Sequence, residues 1–326
     1  MKTKRSVVVI LTCKDDPSAD YVIEKFLQQG IHPVRINSDE IRKNGSFSWS
    51  LGLSGWQISD GVSSLSFGDV GVIWQRRISR RQIAHSNPLV GEYMTQEWRL
   101  LWEWWLNTVP ATKILDTESA LKLAGNKLSQ LTLATKIGFT IPETVITSDP
   151  KQYQSFVNNH QHVVAKTLGG FGRVLEENKA FGTIYTTRVD PGILPDATSI
   201  RAAPIILQEE IPKAYEVRVT VVDQEIFACK IDSQRSRKTM LDWRRYDFAN
   251  VPHSPHILPD EISDRILQFV KYFGIHFASF DFAVTPTGEY VFFEMNPNSQ
   301  WVWLEHHAHL PITDALVGAL RRRCEL

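Results

Sequence analysis

The chain has 326 residues, 43% hydrophobic and 22% charged, a composition ordinary for a soluble globular protein and a length sufficient for two or three substructures with their own cores. Its formal net charge is zero, which excludes a global field drawing it to nucleic acid or to a membrane surface, so any bound anion must be held locally. Cys13, Cys229 and Cys324 are odd in number and widely spaced, which excludes a disulfide framework and a zinc site.

The basic start followed by Val7 to Leu11 imitates a signal peptide, but the apolar run is short and no cleavage motif follows it. We read it as a buried strand. No apolar stretch approaches the ~20 residues of a membrane helix, so a cytoplasmic location is expected. A helix from about Ser18 to Gln29, stopped by Gly30, and a strand Val34 to Asn37 complete a β-α-β opening. Short alternating segments at Ser46 to Leu53, Trp56 to Ser59 and Val70 to Gln75 suggest a small mixed sheet. Trp98, Leu101, Trp102 and Trp105 fall near helical spacing within Glu92 to Thr108, which predicts an amphipathic helix packed on that sheet. A nucleobase platform is the other reading of these tryptophans, and the neutral charge favours core packing.

A second lobe is expected from Thr117. It contains a helix Asn126 to Ile137 closed by Gly138, a strand Val163 to Lys166 and the loop Gly169-Gly-Phe-Gly172. A third lobe from about Ala203 holds strands at Pro204 to Leu207, Tyr215 to Val222, Glu225 to Ile231, Ala278 to Val284 and Glu289 to Glu294, and a helix Pro259 to Phe273.

The last two strands are separated by Pro286-Thr-Gly288, a hairpin signal. With Thr287 and Gly288 as a two-residue loop, Asp281 lies opposite Glu294 and Phe282 opposite Phe293, and Asn296 joins the two carboxylates on one face. Opposed carboxylates with Cβ atoms about 5 Å apart repel unless something cationic lies between them. A metal supplies that charge. The all-oxygen set Asp281, Glu294 and Asn296 selects Mg²⁺ or Mn²⁺ over zinc, and magnesium held this way implies a nucleotide completing its shell. The alternative is an exposed hairpin with its carboxylates in solvent.

Lys127 and Lys166 are candidate phosphate cations, the second directly before the glycine loop, whose N–H groups can approach phosphate. No Gly-Lys-Ser/Thr follows, which excludes a P-loop enzyme. Gln208-Glu209-Glu210-Ile211 ends a strand and offers backbone groups to an adenine edge. In Tyr215 to Val221 alternation puts Glu216 and Arg218 on one face, either as ribose and phosphate or carboxylate contacts or as a surface pair on an edge strand.

Taken in order, Asn126-Lys127, Lys166 with its glycine loop, Gln208-Glu-Glu-Ile211, Glu216-x-Arg218, Asp281 and Phe293-Glu-x-Asn-Pro297 resemble an ATP-grasp ligase. The segments Ile211 to Val222, Asp242-Trp-Arg244 and Phe293 to Glu305, with Val72-Ile-Trp-Gln-Arg-Arg77 and Glu97-Trp-Arg99, resemble the microviridin-type, or graspetide, ligases. That resemblance implies an α/β chain of ATP-grasp fold: an N-terminal β-α-β pre-ATP-grasp domain (1–116), a central lobe (117–202) and a C-terminal lobe with the metal site (203–326). It implies ATP-dependent crosslinking of a ribosomal precursor peptide into a macrolactone or macrolactam through an acyl phosphate. Lys127 and Lys166 would then hold phosphates and Glu209, Glu210 and Glu216 would frame the nucleoside. Arg218 and Arg244 would grip the substrate carboxylate, and Asp242 would either orient Arg244 or take the nucleophile's proton. A homodimer and a leader docked near Thr186 to Pro195, with Asp190 and Asp196 meeting a basic residue, are also expected. Ser299 departs from the family, which often has glycine there. Trp301 and Trp303 wall the acceptor side or pack in the core. A free-standing amino-acid or glutathione-type ligase, and a non-catalytic nucleotide-binding protein, are the competing readings.

Overall fold

In a computed structural model, residues 6–50, 55–79, 82–169, 185–192 and 195–325 are described, together with the backbone alone of 172–174 and 181–183. Gly170 and Phe171 of the expected glycine loop lie outside the described residues.

The first strand, Val7–Thr12, is apolar from Val7 to Leu11 and sits in a four-stranded parallel sheet in the order Val34–Asn37, Val7–Thr12, Val70–Gln75, Ile114–Leu115. Continuous apolar runs are what a parallel sheet covered on both faces requires. Val70–Gln75 is buried at every position and joins this sheet, which corrects the expected grouping with residues 46–59. The strands Ser46–Ser50, Gly55–Ser59 and Ser64–Ser66 instead form a separate antiparallel sheet. The helix Pro88–Thr108 packs on it through Trp105, whose ring lies 4.8 Å from Trp56 and 5.6 Å from Phe47, and Trp102 and Trp105 are core residues. Their side of the helix was legible as packing rather than as a nucleobase platform.

A second four-stranded sheet has the order Thr187–Arg188, Val163–Lys166, Ile205–Glu209, Thr144–Thr147. The helix Lys127–Lys136 precedes it; Asn126 caps that helix by accepting from the N–H of Leu128 and of Ser129, and Gly138 leaves it at φ +88°.

The third sheet is antiparallel, in the order His253–His256, Glu225–Ile231, Tyr215–Val222, Phe277–Val284, Tyr290–Pro297. One face packs on the helix Asp260–Phe273 through Phe269, Phe280, Phe282 and Phe292, with Phe139 stacked on Phe292 at 5.3 Å. The C-terminal helix Ile312–Cys324 is buried along most of its length and packs against the helix Pro17–Gln28 and the parallel sheet, so the two ends of the chain share one core. Arg322 and Arg323 then clasp Asp223 in the Val222–Glu225 turn, with Arg323 Nη2 at 2.6 Å from Oδ1. No described helix is long and apolar enough to cross a membrane.

The final hairpin departs from its expected geometry in two places. Thr285 N–H donates to Glu289 O at 3.0 Å and Gly288 sits at φ +87°, so Pro286-Thr-Gly288 is a three-residue loop of the kind that needs a left-handed glycine. That loop sets partners one residue out from the expected register: Val284 faces Tyr290, Ala283 faces Val291 and Phe282 faces Phe292. A bulge between Asp281 and Phe282 restores the register, and Asp281 faces Glu294, Phe280 faces Met295 and Ser279 faces Asn296. Phe293 is the extra residue of the bulge, which is why the expected Phe282–Phe293 pair does not form and why Phe293 turns to the same side as Glu294.

Candidate active site

A cleft between the second and third sheets is lined by Lys127, Lys166, Gln208, Glu209, Glu210, Ile211, Glu216, Asp242, Arg244, Asp281 and Glu294. Eleven residues singled out from sequence therefore converge on one cavity. Arg218 and Asn296 stand directly behind it, each bonded to Asp281. Lys213, Trp243, Thr186 and Phe293 also line the cleft, a position not expected of them: Thr186 was placed with the leader and Phe293 opposite Phe282. The Lys213 ammonium, buried between Glu216 Oε1 at 3.0 Å and Leu241 O at 3.1 Å, follows the adenine-edge segment by two residues, and that proximity was the available signal.

The strand Ile205–Glu209 runs out at the cleft. Glu209 N–H donates to Glu143 O and Glu210 N–H to His162 O, so these donors are spent within the sheet. The side chains are engaged as well: Glu209 Oε1 accepts from Glu143 N–H at 2.9 Å, and Glu210 pairs with Arg188, whose Nε lies 2.6 Å away. The expected role of these two carboxylates as a frame for a nucleoside thus meets existing partners. Ile211 N–H, in contrast, finds no acceptor among the described residues. A backbone donor at a strand end beside an apolar wall suits a planar heterocycle.

Lys166 ends its strand with Nζ 4.7 Å over the Phe293 ring, and burial lowers its pKa to about 8 despite the opposing pull of Glu294. Lys127 Nζ bridges Thr167 O at 3.2 Å and Glu294 Oε2 at 3.4 Å. The two ammoniums thus point into the cleft from adjacent elements.

The strand Tyr215–Val222 is central in its sheet, which overturns the edge-strand surface pair: Glu216 and Arg218 are 4% and 5% exposed. Arg218 Nη1 donates to Asp281 Oδ2 at 2.6 Å, and Asn296 Nδ2 reaches Asp281 Oδ2 at 3.1 Å and Glu294 Oε1 at 3.3 Å. The repulsion expected between the opposed carboxylates is therefore relieved by protein cations, Arg218 on one and Lys127 and Arg244 on the other. Repulsion alone does not demand a metal. The donor set does fit one, because Asp281 Oδ1 is buried with no hydrogen-bond partner among the described residues and the Glu294 carboxylate stands opposite, oxygen being the ligand type hard divalent cations take. Burial holds the Asp281 carboxyl above its ordinary pKa against the pull of Arg218, whereas for Glu294 burial is outweighed by Lys127, Arg244 and Lys166 and the pKa falls.

Arg244 lies on a short turn, Trp243–Arg245, capped by Asp242. Its Nε and Nη2 form a fork on the two Asp242 oxygens at 2.8 and 2.6 Å, leaving Nη1 3.6 Å from Glu294 Oε1. Burial would raise the Asp242 pKa, but the Arg244 fork outweighs it and the carboxylate is held ionised. Such a group is a poor proton acceptor, so its geometry suits orientation of Arg244.

Ser299 is buried, and its hydroxyl continues a chain through Ser279 to Thr220, a link that a glycine would lack. Trp301 is fully buried with Nε1 donating to Thr313 Oγ1 at 2.8 Å, whereas the partly buried Trp303 joins a ring cluster with the buried Trp243 and the exposed Phe248. Asp196 caps the helix Ala197–Ala202 and Asp190 accepts from Gly192 N–H in a turn.

This fold and cleft define an ATP-grasp ligase. Residues 6–122 match the MvdD pre-ATP grasp domain, so the chain couples that domain to the ATP-grasp fold. Among solved structures it resembles a RiPP-associated ATP-grasp ligase from Chryseobacterium gregarium, in complex with ADP and a leader and core peptide, at 27% identity and TM-score 0.86 over 97% of this chain and 96% of that one. It also resembles macrocyclase MdnC from Microcystis aeruginosa MRC, bound with precursor peptide MdnA, at 28% identity and TM-score 0.85 over 96% and 99% of the two chains. Macrocyclase MdnB of the same organism matches at 28% and TM-score 0.80 over 97% and 99%. No curated protein sequence matches the chain.

Proposed function

We propose that the chain forms side-chain ester or amide crosslinks within a ribosomally made precursor peptide, using ATP to activate a carboxylate as an acyl phosphate. The observation that carries this reading is the single cleft in which two ammoniums, a guanidinium held by a carboxylate fork and an opposed Asp–Glu pair face one another. A carboxylate oxygen of the peptide attacks the γ-phosphorus and ADP departs; a hydroxyl or amine of the same peptide then attacks the acyl carbon, phosphate leaves and a proton is lost. The peptide is lighter by one water for each ring.

Lys127 and Lys166 neutralise the phosphates, and Ile211 N–H reads the adenine edge. Lys213 and Glu216 close the nucleoside side. Asp281, Glu294 and Asn296 would hold Mg²⁺, or Mn²⁺ in its place, by oxygen ligands. The bound ion supplies charge neutralisation to the transferring phosphoryl group. Arg244, oriented by Asp242, grips the substrate carboxylate, and Arg218 sets the charge and position of Asp281.

We further assign residues 1–116, 117–202 and 203–326 to the pre-ATP-grasp, central and C-terminal units, the leader to the stretch Thr186 to Pro195, a homodimer as the working assembly and the cytoplasm as its place. In that stretch Asp190 is the exposed carboxylate still open to a basic leader residue, since Asp196 is bound up in its cap. Incubation with Mg-ATP and the precursor peptide encoded beside the gene tests the reaction: loss of one water mass per crosslink supports it, and a product heavier by a second molecule identifies a free-standing ligase instead.

A further inference from the structure

The strand that carries Glu294 and Asn296 ends at Pro297, and the four residues after it, Asn298 to Trp301, lead into the helix Val302–Ala308. Each of these four side chains is held by another part of the chain. Asn298 Nδ2 donates to the carbonyl of Gln75, at 3.0 Å, and to that of Arg76. The Ser299 hydroxyl meets Ser279, Gln300 Oε1 accepts from Ser18 Oγ at 2.7 Å, and the Trp301 ring lies 5.9 Å from Trp74. Three of the four holds therefore come from the N-terminal parallel sheet and its first helix. Asn298 itself sits at φ +57°, a left-handed conformation that asparagine adopts more readily than most residues.

Arg76 gathers this arrangement. It is buried, and its Nη1 donates to the backbone oxygen of Asn298 and, at 3.2 Å, to Asn298 Oδ1, so the two residues bond in both directions. The guanidinium lies over the Trp301 ring, 5.3 Å from its centroid. Its Nε is 3.7 Å from Asp16 Oδ2, an oxygen that already accepts from Thr12 Oγ1 at 2.7 Å. Arg76 Nε and Nη2 have no hydrogen-bond partner among the described residues. A guanidinium buried with one arm engaged and a stretched ion pair adds little to stability, so its use lies in what the engaged arm holds. Arg76, Pro297 and Asn298 also line a cavity of about 820 Å³, so the end of the strand has open space instead of packing on that side.

We propose that Arg76 is a positioning residue: through Asn298 it pins the end of the strand Tyr290–Pro297, and thereby the placement of Asn296 and Glu294 against Asp281. This rests on the assignment of those three residues to Mg²⁺ and adds what keeps them in place. Magnesium demands near-octahedral oxygens at about 2.0–2.1 Å, whereas calcium accepts looser sets at about 2.3–2.6 Å. A loosened strand end therefore harms Mg²⁺ binding selectively. The groups assigned to the rest of the nucleotide, Lys166 and Ile211, lie on other elements and keep their places.

Calorimetric titration of ADP onto the full chain, with and without Mg²⁺, tests this apart from turnover. Mg²⁺ should tighten ADP binding to the wild type. Arg76→Gln should cut that Mg²⁺-dependent gain by roughly tenfold while leaving the affinity for ADP alone unchanged, and the loss should be smaller with Ca²⁺ in place of Mg²⁺. Arg76→Lys, which keeps a charge and a donor, should recover part of the gain. Asn298→Gly keeps the left-handed backbone and removes the side-chain bonds, so it should lose Mg²⁺ affinity in the same way, and it decides the matter if Arg76→Gln does not fold. The double variant Arg76→Gln/Asn298→Gly should be little worse than the more affected single variant, because both act through one contact. An unchanged Mg²⁺ gain in the folded variants, additive losses in the double variant, or an equal loss of ADP affinity with and without the ion overturns the role of Arg76. Absence of any Mg²⁺ gain in the wild type overturns the metal assignment, and this inference with it.

Discussion

Arg218 and Asp281 face each other on neighbouring strands, with Nη1 2.6 Å from Oδ2 and both side chains less than a tenth exposed. Removing one member of such a pair leaves a buried charge without its partner, which is more damaging than the pair is stabilising. Arg218→Ala should destabilise the fold by about 3–5 kcal/mol in urea unfolding. It should also weaken Mg²⁺ binding, because Asp281 then protonates more readily. A variant with wild-type stability and a defect confined to nucleotide affinity would place Arg218 on the phosphates instead.

Phe293 is in the cleft because of the bulge, and its ring lies under the Lys166 ammonium. Phe293→Ala should raise KM for ATP by about tenfold, equivalent to about 1.4 kcal/mol, with a smaller effect on kcat. Calorimetric titration of ADP onto the variant checks this without the peptide. Deleting Phe293 outright is more revealing: the bulge disappears, the three-residue loop still sets the register, and Glu294 remains opposite Asp281. The deletion should therefore keep metal affinity while losing nucleotide affinity.

Asp242 carries both teeth of the Arg244 fork. Asp242→Asn should lower kcat by roughly 100-fold while leaving the shape of the pH–rate profile between pH 6 and 9 intact, because the native carboxylate is already ionised over that range. Disappearance of a titrating limb in the variant would assign proton transfer to Asp242.

Asp223 closes the turn that Arg322 and Arg323 clasp. Burial raises its pKa, but the hydrogen bonds from Arg323 and Arg322 outweigh it and the folded value lies below the ordinary 3.8. A depressed carboxylate pKa stabilises the fold fully above the unfolded value and loses that contribution as pH falls through the folded one. Asp223→Asn should thus cost on the order of 1 kcal/mol at pH 7, and the difference from wild type should shrink below pH 4, in chemical denaturation at both pH values.

The Asp281–Glu294 pairing was legible because two departures from simple hairpin arithmetic cancel. The loop has one residue more than the two-residue reading assumed, and the bulge at Phe293 takes up one residue, so Asp281 and Glu294 keep the pairing that the wrong loop length had implied. What periodicity cannot register is the bulge itself, since Phe292, Phe293 and Glu294 read as a plain alternation whichever phenylalanine faces the core. The strand Val70–Gln75 was misplaced for a related reason: an apolar run identifies burial but not the neighbour it pairs with, and parallel partners lie far apart in sequence. The partners of Glu209 and Glu210 were not legible, because Glu143 and Arg188, which engage them, are distant along the chain.

The central claim, that the Asp281–Glu294 pair drives activation of a peptide carboxylate, is tested most directly by Glu294→Gln. Gln keeps the volume and removes the charge that Lys127 and Arg244 face. Mass spectrometry of the precursor after incubation with Mg-ATP, alongside circular dichroism, reads both chemistry and fold. Abolished water loss with a native spectrum is the result expected; water loss at the wild-type rate would contradict the assignment.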